Sequence, residues 1–142
     1  MSAYDPDNIF AKILRGELPS ETVYEDDATI VIMDIMPRVD GHALVLPKNP
    51  SRNIFDIAPD DLAACLTTVQ RIARASKRAY EADGMTIQHF VEGAGGQMVF
   101  HTHWHVLPRF EGQALKPHSG EIAPAETVKA AADKLRAALN EG

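Results

Sequence analysis

One cysteine in 142 residues, Cys65, leaves no partner for an internal disulfide and no thiolate cluster for a structural zinc. It falls on the apolar stripe of a predicted helix, where a small buried hydrophobe is its expected role. Positive charge is in the minority, 14 Lys and Arg against 20 Asp and Glu, for a formal net charge of −6. Such a chain has no global field to attract polyanions, so nucleic acid is not an expected partner. A small phosphate can still be held locally by backbone amides or helix ends. No apolar run reaches membrane-spanning length, and residues 1–10 lack the basic and apolar segments of a secretory signal. The expected setting is cytoplasmic, with no membrane partner. No Gly-Lys-Ser/Thr phosphate loop occurs, which excludes a magnesium-nucleotide site of that kind. Repeats, low-complexity segments and linkers are also missing, so residues 1–142 read as one domain, with 45% hydrophobic content enough for a real core.

What is present reads as α+β. Asp7 can cap a short helix through Leu14, with Gly16 as its stop. Thr22–Glu25 and Ala28–Asp34 suggest two strands joined at Asp26-Asp27, and Gly41–Pro47 a third. Pro59–Asp61 starts the longest helix, with Leu62, Cys65, Leu66, Val69, Ile72 and Ala73 at helical spacing, ending near Asp83-Gly84. Met85–Val91 and Met98–Leu107 then read as strands of an antiparallel hairpin closed by the glycine turn Gly93–Gly96. Pro124–Leu139 is a final amphipathic helix, Ala-rich and expected to pack as an accessory or at a subunit contact. The expectation is an antiparallel sheet of about five strands with one long helix, a short N-terminal helix and a C-terminal helix. The core spans about 8–110, and 111–142 form a C-terminal extension in which the spacing of Lys116 and His118 demands no role.

The run His101-Thr102-His103-Trp104-His105-Val106-Leu107 stands apart. On a strand, alternate side chains share a face, which would set the three imidazoles roughly 6.5–7 Å apart with Thr102, Trp104 and Val106 facing a core. Histidine is neither a strong strand former nor a cheap residue to bury, so the row asks for a chemical reason. Three readings compete. The row could hold a metal, though no acidic residue lies among its immediate neighbours and three alternating residues are nearly collinear, which suits a tetrahedral ion poorly. It could be a solvated or core-satisfied row. Or one imidazole attacks phosphorus while its neighbours orient it and carry a proton, a role for which a neutral ring near pH 7 is suited. His103, flanked on both sides, is then the natural nucleophile.

That run resembles the His-φ-His-φ-His-φ-φ signature of the histidine-triad (HIT) superfamily of nucleotide hydrolases and transferases. Asn8–Glu17 and Val23–Asp27 resemble the family's opening helix and strand, Asp34–Pro37 and Gly41–Lys48 its nucleoside-binding segment, and Gly95–His101 the approach to the triad. The resemblance implies a hydrolase that cleaves purine nucleoside phosphoramidates or related nucleotidyl conjugates to a nucleoside monophosphate. His103 would form a nucleotidyl-histidine intermediate, with His105 beside the phosphate and leaving group, and His101 and His42 in a supporting cluster. Asp34 would hold the ribose hydroxyls, Gln97 the phosphate or leaving group, and Phe10, Ile32, Ile35 and Val99 would take part in substrate binding. The resemblance also implies a homodimer sharing a continuous sheet, and a chemistry with no metal or other cofactor. Alternatives are a dinucleoside-polyphosphate hydrolase using the same nucleophile, or a nucleotide-binding protein with little turnover. Val91 departs from the pattern, standing where relatives have a polar asparagine near the phosphate. Loss of such a donor can cost on the order of 2.7–4 kcal/mol of transition-state stabilisation. His89 and Glu92, read as strand and turn residues, could compensate.

Overall fold

The computed structural model describes residues 3–117 and 121–141, so His118 lies outside the described residues. The elements run α1 (Ile9–Leu14), β1 (Thr22–Glu25), β2 (Thr29–Met33), β3 (Ala43–Pro47), α2 (Pro59–Tyr80), β4 (Gly84–Gln88), β5 (Trp104–Arg109) and α3 (Ala125–Asn140). Local chemistry explains most boundaries. Asn8, rather than Asp7, caps α1: its Oδ1 accepts the Ala11 amide at 2.8 Å. Asp26 holds the β1–β2 turn by accepting the Ala28 and Thr29 amides. Pro59 opens α2 with Asp60 and Asp61 in its first turn, and Glu81 in the left-handed region ends it.

The five strands form one antiparallel sheet in the order β1-β2-β3-β5-β4. β2 and β3 are buried along their whole length because both sheet faces are covered. On one face Val31, Met33, Ala43, Val45, Trp104 and Val106 pack against α2 and α3. On the other, Ile30, Ile32, Leu44 and Leu46 pack against Phe10 of α1, with Ile13, Leu14 and Val99 at the margin. α3 is no mere accessory: Val128, Ala131, Ala132, Leu135 and Ala138 enter the larger core, and the Tyr80 hydroxyl donates to the Ala131 carbonyl at 2.7 Å. The Tyr80 ring presses on Gly41, where a Cβ would come within 2.6 Å of it.

The hairpin differs from the sequence expectation in a way that bears on the histidines. β4 stops at Gln88, paired to His105, and β5 begins only at Trp104. Gly93–Gly95 is a 3₁₀ turn rather than a hairpin turn, closed by Gly96 at φ +98°. Residues 98–103 lie outside the sheet, and Thr102 is bonded to another loop. The Thr102 amide donates to the Ser51 carbonyl at 2.8 Å, and the two hydroxyls meet at 2.6 Å. Of the three histidines, only His105 stands on a strand. It lies between the core residues Trp104 and Val106 and opposite Leu44, and therefore faces the α1 side.

Candidate active site

On that α1 side lies a cavity of about 490 Å³. α1 contributes Ile9, Phe10 and Ile13, β2 contributes Ile32, and the residues just past β2 contribute Asp34 and Ile35. The opposite wall is Phe90, Met98, Val99, His103 and His105. Of the residues expected to bind substrate, Phe10, Ile32, Asp34, Ile35 and Val99 do meet here, because sheet alternation and the helical face of α1 converge on one space. Ile9 and Ile13 were legible as the same helical stripe as Phe10. In sequence Phe90 reads only as part of a strand over Met85–Val91; β4 stops at Gln88, so no strand alternation sets its direction.

The hydrogen bonds assign the imidazole tautomers. His103 Nδ1 lies 2.7 Å from the His101 carbonyl, so Nδ1 carries the proton and Nε2 keeps its lone pair. His42 Nδ1 accepts the Arg38 amide at 3.1 Å, which puts the His42 proton on Nε2. That N–H donates to His105 Nδ1 at 2.9 Å, so His105 holds its own proton on Nε2. The His103 and His105 rings meet edge to face with centroids 5.0 Å apart, and Phe10 and Phe90 pack edge-on against them. The site thus sets a ring whose Nε2 bears a lone pair beside a ring whose Nε2 holds a proton, in buried, apolar surroundings.

Asp34 sits 3.5 Å from His42 Nε2 and accepts the Met36 amide. Burial disfavours its charged form and pushes its pKa up from 3.8 to about 6, the Met36 bond opposing in part. Among the described residues, no Lys or Arg lines the cavity. Ligand atoms of Asp34, His42 and His105 all lie within 4.8 Å of one another, the one such group among the described residues that could hold a metal. An ion there would have to displace the proton shared by His42 and His105.

Other expected residues are not brought together. His101 is fully buried away from the cavity: its Nε2–H donates to the Pro47 carbonyl at 2.8 Å and its Nδ1 accepts the Tyr4 hydroxyl at 2.6 Å. Burial lowers its pKa, in keeping with a neutral ring. Only its backbone carbonyl serves His103. Gln97 is buried and fully engaged, its oxygen accepting from Asn53 and the Glu92 amide and its nitrogen donating to the Arg52 and Val99 carbonyls. It braces the loop instead of facing the cavity. Glu92 is likewise clasped by Arg52 at 2.8 and 2.9 Å. Val91 does not line the cavity; its neighbour Phe90 does. Phe90 also explains Gly96, where a Cβ would stand 3.1 Å from the phenyl ring.

Residues 15–112 match the HIT domain family. A HIT-like protein of Borreliella burgdorferi is 39% identical over 111 residues, covering 77% of this chain and 80% of that protein. Arabidopsis thaliana adenylylsulfatase HINT3 is 36% identical over 114 residues, 80% of this chain and 58% of its own length. The crystal structure of a Hit-like protein involved in cell-cycle regulation from Bartonella henselae superposes with a TM-score of 0.90 at 48% identity, covering 96% of this chain and 99% of that one.

Proposed function

The chain belongs to the HIT domain family, and from that premise we propose that it hydrolyses purine nucleoside phosphoramidates, or related nucleotidyl conjugates, to a nucleoside monophosphate. In this reading the base lies among Phe10, Ile32 and Ile35, and the Asp34 carboxylate accepts from the ribose hydroxyls. His103 Nε2 attacks the α-phosphorus; the new P–N bond forms as the bond from phosphorus to the leaving nitrogen breaks. The His105 Nε2–H donates a hydrogen bond to the charge that develops at the leaving group, and the departing nitrogen leaves as the amine with a proton drawn from water. Water then attacks phosphorus, His103 leaves with its Nε2 lone pair restored, and the proton shed by that water returns to solvent.

The observation that carries the reading is the pair of opposite tautomers, a lone pair on His103 Nε2 and a proton on His105 Nε2, at the wall of one apolar cavity. The absence of Lys and Arg from that wall among the described residues supports a phosphoramidate over a dinucleoside polyphosphate, whose extra charges would meet no cation there. The sheet order supports a homodimer: β1 is flanked by α3, whereas β4 is an open edge that a second copy can extend. The direct test follows AMP release from adenosine 5′-phosphoramidate by the full chain. His103→Ala is expected to abolish it; equal rates for the variant and the wild type would sink the assignment.

A further inference from the structure

The nucleophile stands on a piece of chain that the sheet does not hold. His103 precedes β5, and side chains reach the backbone on either side of it. One clasp is the Thr102–Ser51 pair, which holds the 101–102 peptide and the Thr102 side chain. The peptide after His103 is held by His89. His89 Nδ1 lies 2.8 Å from the His103 carbonyl, and its Nε2 accepts the Ile54 amide at 3.2 Å. The second bond requires a bare Nε2, so the proton is on Nδ1 and the ring donates to His103. The same ring stacks on Trp104, with centroids 4.4 Å apart and planes 16° from parallel. Trp104 is itself buried in the larger core. Two in-plane bonds at opposite nitrogens and a stack on an immobile indole leave the His89 ring no free rotation.

We propose that His89 is a positioning residue for the His103 nucleophile, acting through the His103 carbonyl. The idea rests on the reading of His103 as nucleophile. His103 Nδ1 already donates backward to the His101 carbonyl, so with His89 gripping the carbonyl that follows, the imidazole is referred to two fixed points on either side of its Cα. Remove His89 and the His103 carbonyl loses this donor, which lets Nε2 shift from the line of attack. A displacement near 1 Å is enough for about a hundredfold loss in rate. The residue was visible in the sequence only as a strand or turn histidine, because neither its partner carbonyl nor its stack is encoded by spacing.

The test compares wild type, His89→Ala and His89→Asn, whose side-chain amide keeps a donor close to where Nδ1 stood. With adenosine 5′-phosphoramidate, His89→Ala is expected to lower kcat about 10- to 100-fold while KM and AMP affinity by calorimetry stay within about twofold. His89→Asn is expected to recover most of the lost kcat. A His89→Ala kcat within twofold of wild type would overturn the proposal. So would parallel losses in kcat and AMP affinity that Asn does not repair, since those mark a merely structural tie. A second measurement does not depend on turnover: the ¹⁵N resonances of the His103 ring should report one Nδ1–H tautomer in wild type and His89→Asn, and tautomer exchange in His89→Ala. If wild type proves no faster than His103→Ala, the hydrolase reading fails and these resonances alone decide; unchanged His103 signals in His89→Ala then overturn the positioning role.

Discussion

The imidazole of His103 donates from Nδ1 to the carbonyl of His101, 2.7 Å away. Two residues that look equivalent in the alternating row therefore do different jobs. One offers its ring to the cavity; the other offers its backbone, while its own ring is locked between Tyr4 and Pro47.

That division predicts unequal effects. His103→Ala removes the ring that would attack and is expected to cost at least about a thousandfold in AMP release. His101→Ala keeps the carbonyl. Its expected cost is mainly stability, about 1–3 kcal/mol by chemical denaturation, because the Pro47 carbonyl loses its buried donor. A thousandfold rate loss in a stable His101→Ala protein would show that its ring matters directly.

Asp34 should make the fold less stable as the pH rises. Its pKa is raised from 3.8 to about 6, so the folded chain keeps a proton that the unfolded chain releases. Stability linked to Asp34 is thus lost between about pH 4 and pH 6, and the burial cost is fully present above that window. Asp34→Asn, which keeps an acceptor for the Met36 amide, is expected to be more stable than wild type by about 1–3 kcal/mol at pH 8 and equal to it near pH 4. The same variant should bind AMP more weakly. Denaturant melts at the two pH values check the sign.

Wall chemistry should set the choice of leaving group. Met98 is 61% exposed at the cavity. Met98→Arg supplies the cation that the wall lacks and is expected to raise kcat/KM for a dinucleoside polyphosphate relative to a phosphoramidate by about tenfold. Val91→Asn, whose site lies off the cavity, should change either rate by less than twofold. Steady-state kinetics on both substrates would show it.

Leu135 tests whether the C-terminal helix belongs to the fold. It is fully buried in the larger core. Leu135→Ala is expected to cost about 2–5 kcal/mol in equilibrium unfolding, the range for a large core truncation. A loss below about 1 kcal/mol would mark α3 as peripheral.

Elements with strong local codes were legible in advance. The apolar stripe of α2, the Asp26 turn, and the continuous apolar runs of β2 and β3 each follow from residues next to one another in the chain. So did the cavity residues carried on regular elements: Phe10, Ile32 and His105. The misreadings concentrate in 89–103. There a period of two suggested a strand, while Ser51, far back in sequence, takes the Thr102 amide, and Asn53 and Ile54 hold the side chains of Gln97 and His89. Gln97 and Val91 were misplaced for the same reason.

The sequence alone determined the fold class and the chemistry on offer: a mixed chain with one thiol, a net negative charge, and an alternating histidine run. Periodicity and composition are local properties, and they survive without a structure. Which nitrogen bears a proton, which histidine turns away and which one steadies the nucleophile were decided by tertiary contacts. A tautomer is set by the groups facing both ring nitrogens. For His42, His89, His101 and His105 those groups lie mostly on other loops and strands, at separations that no sequence pattern records.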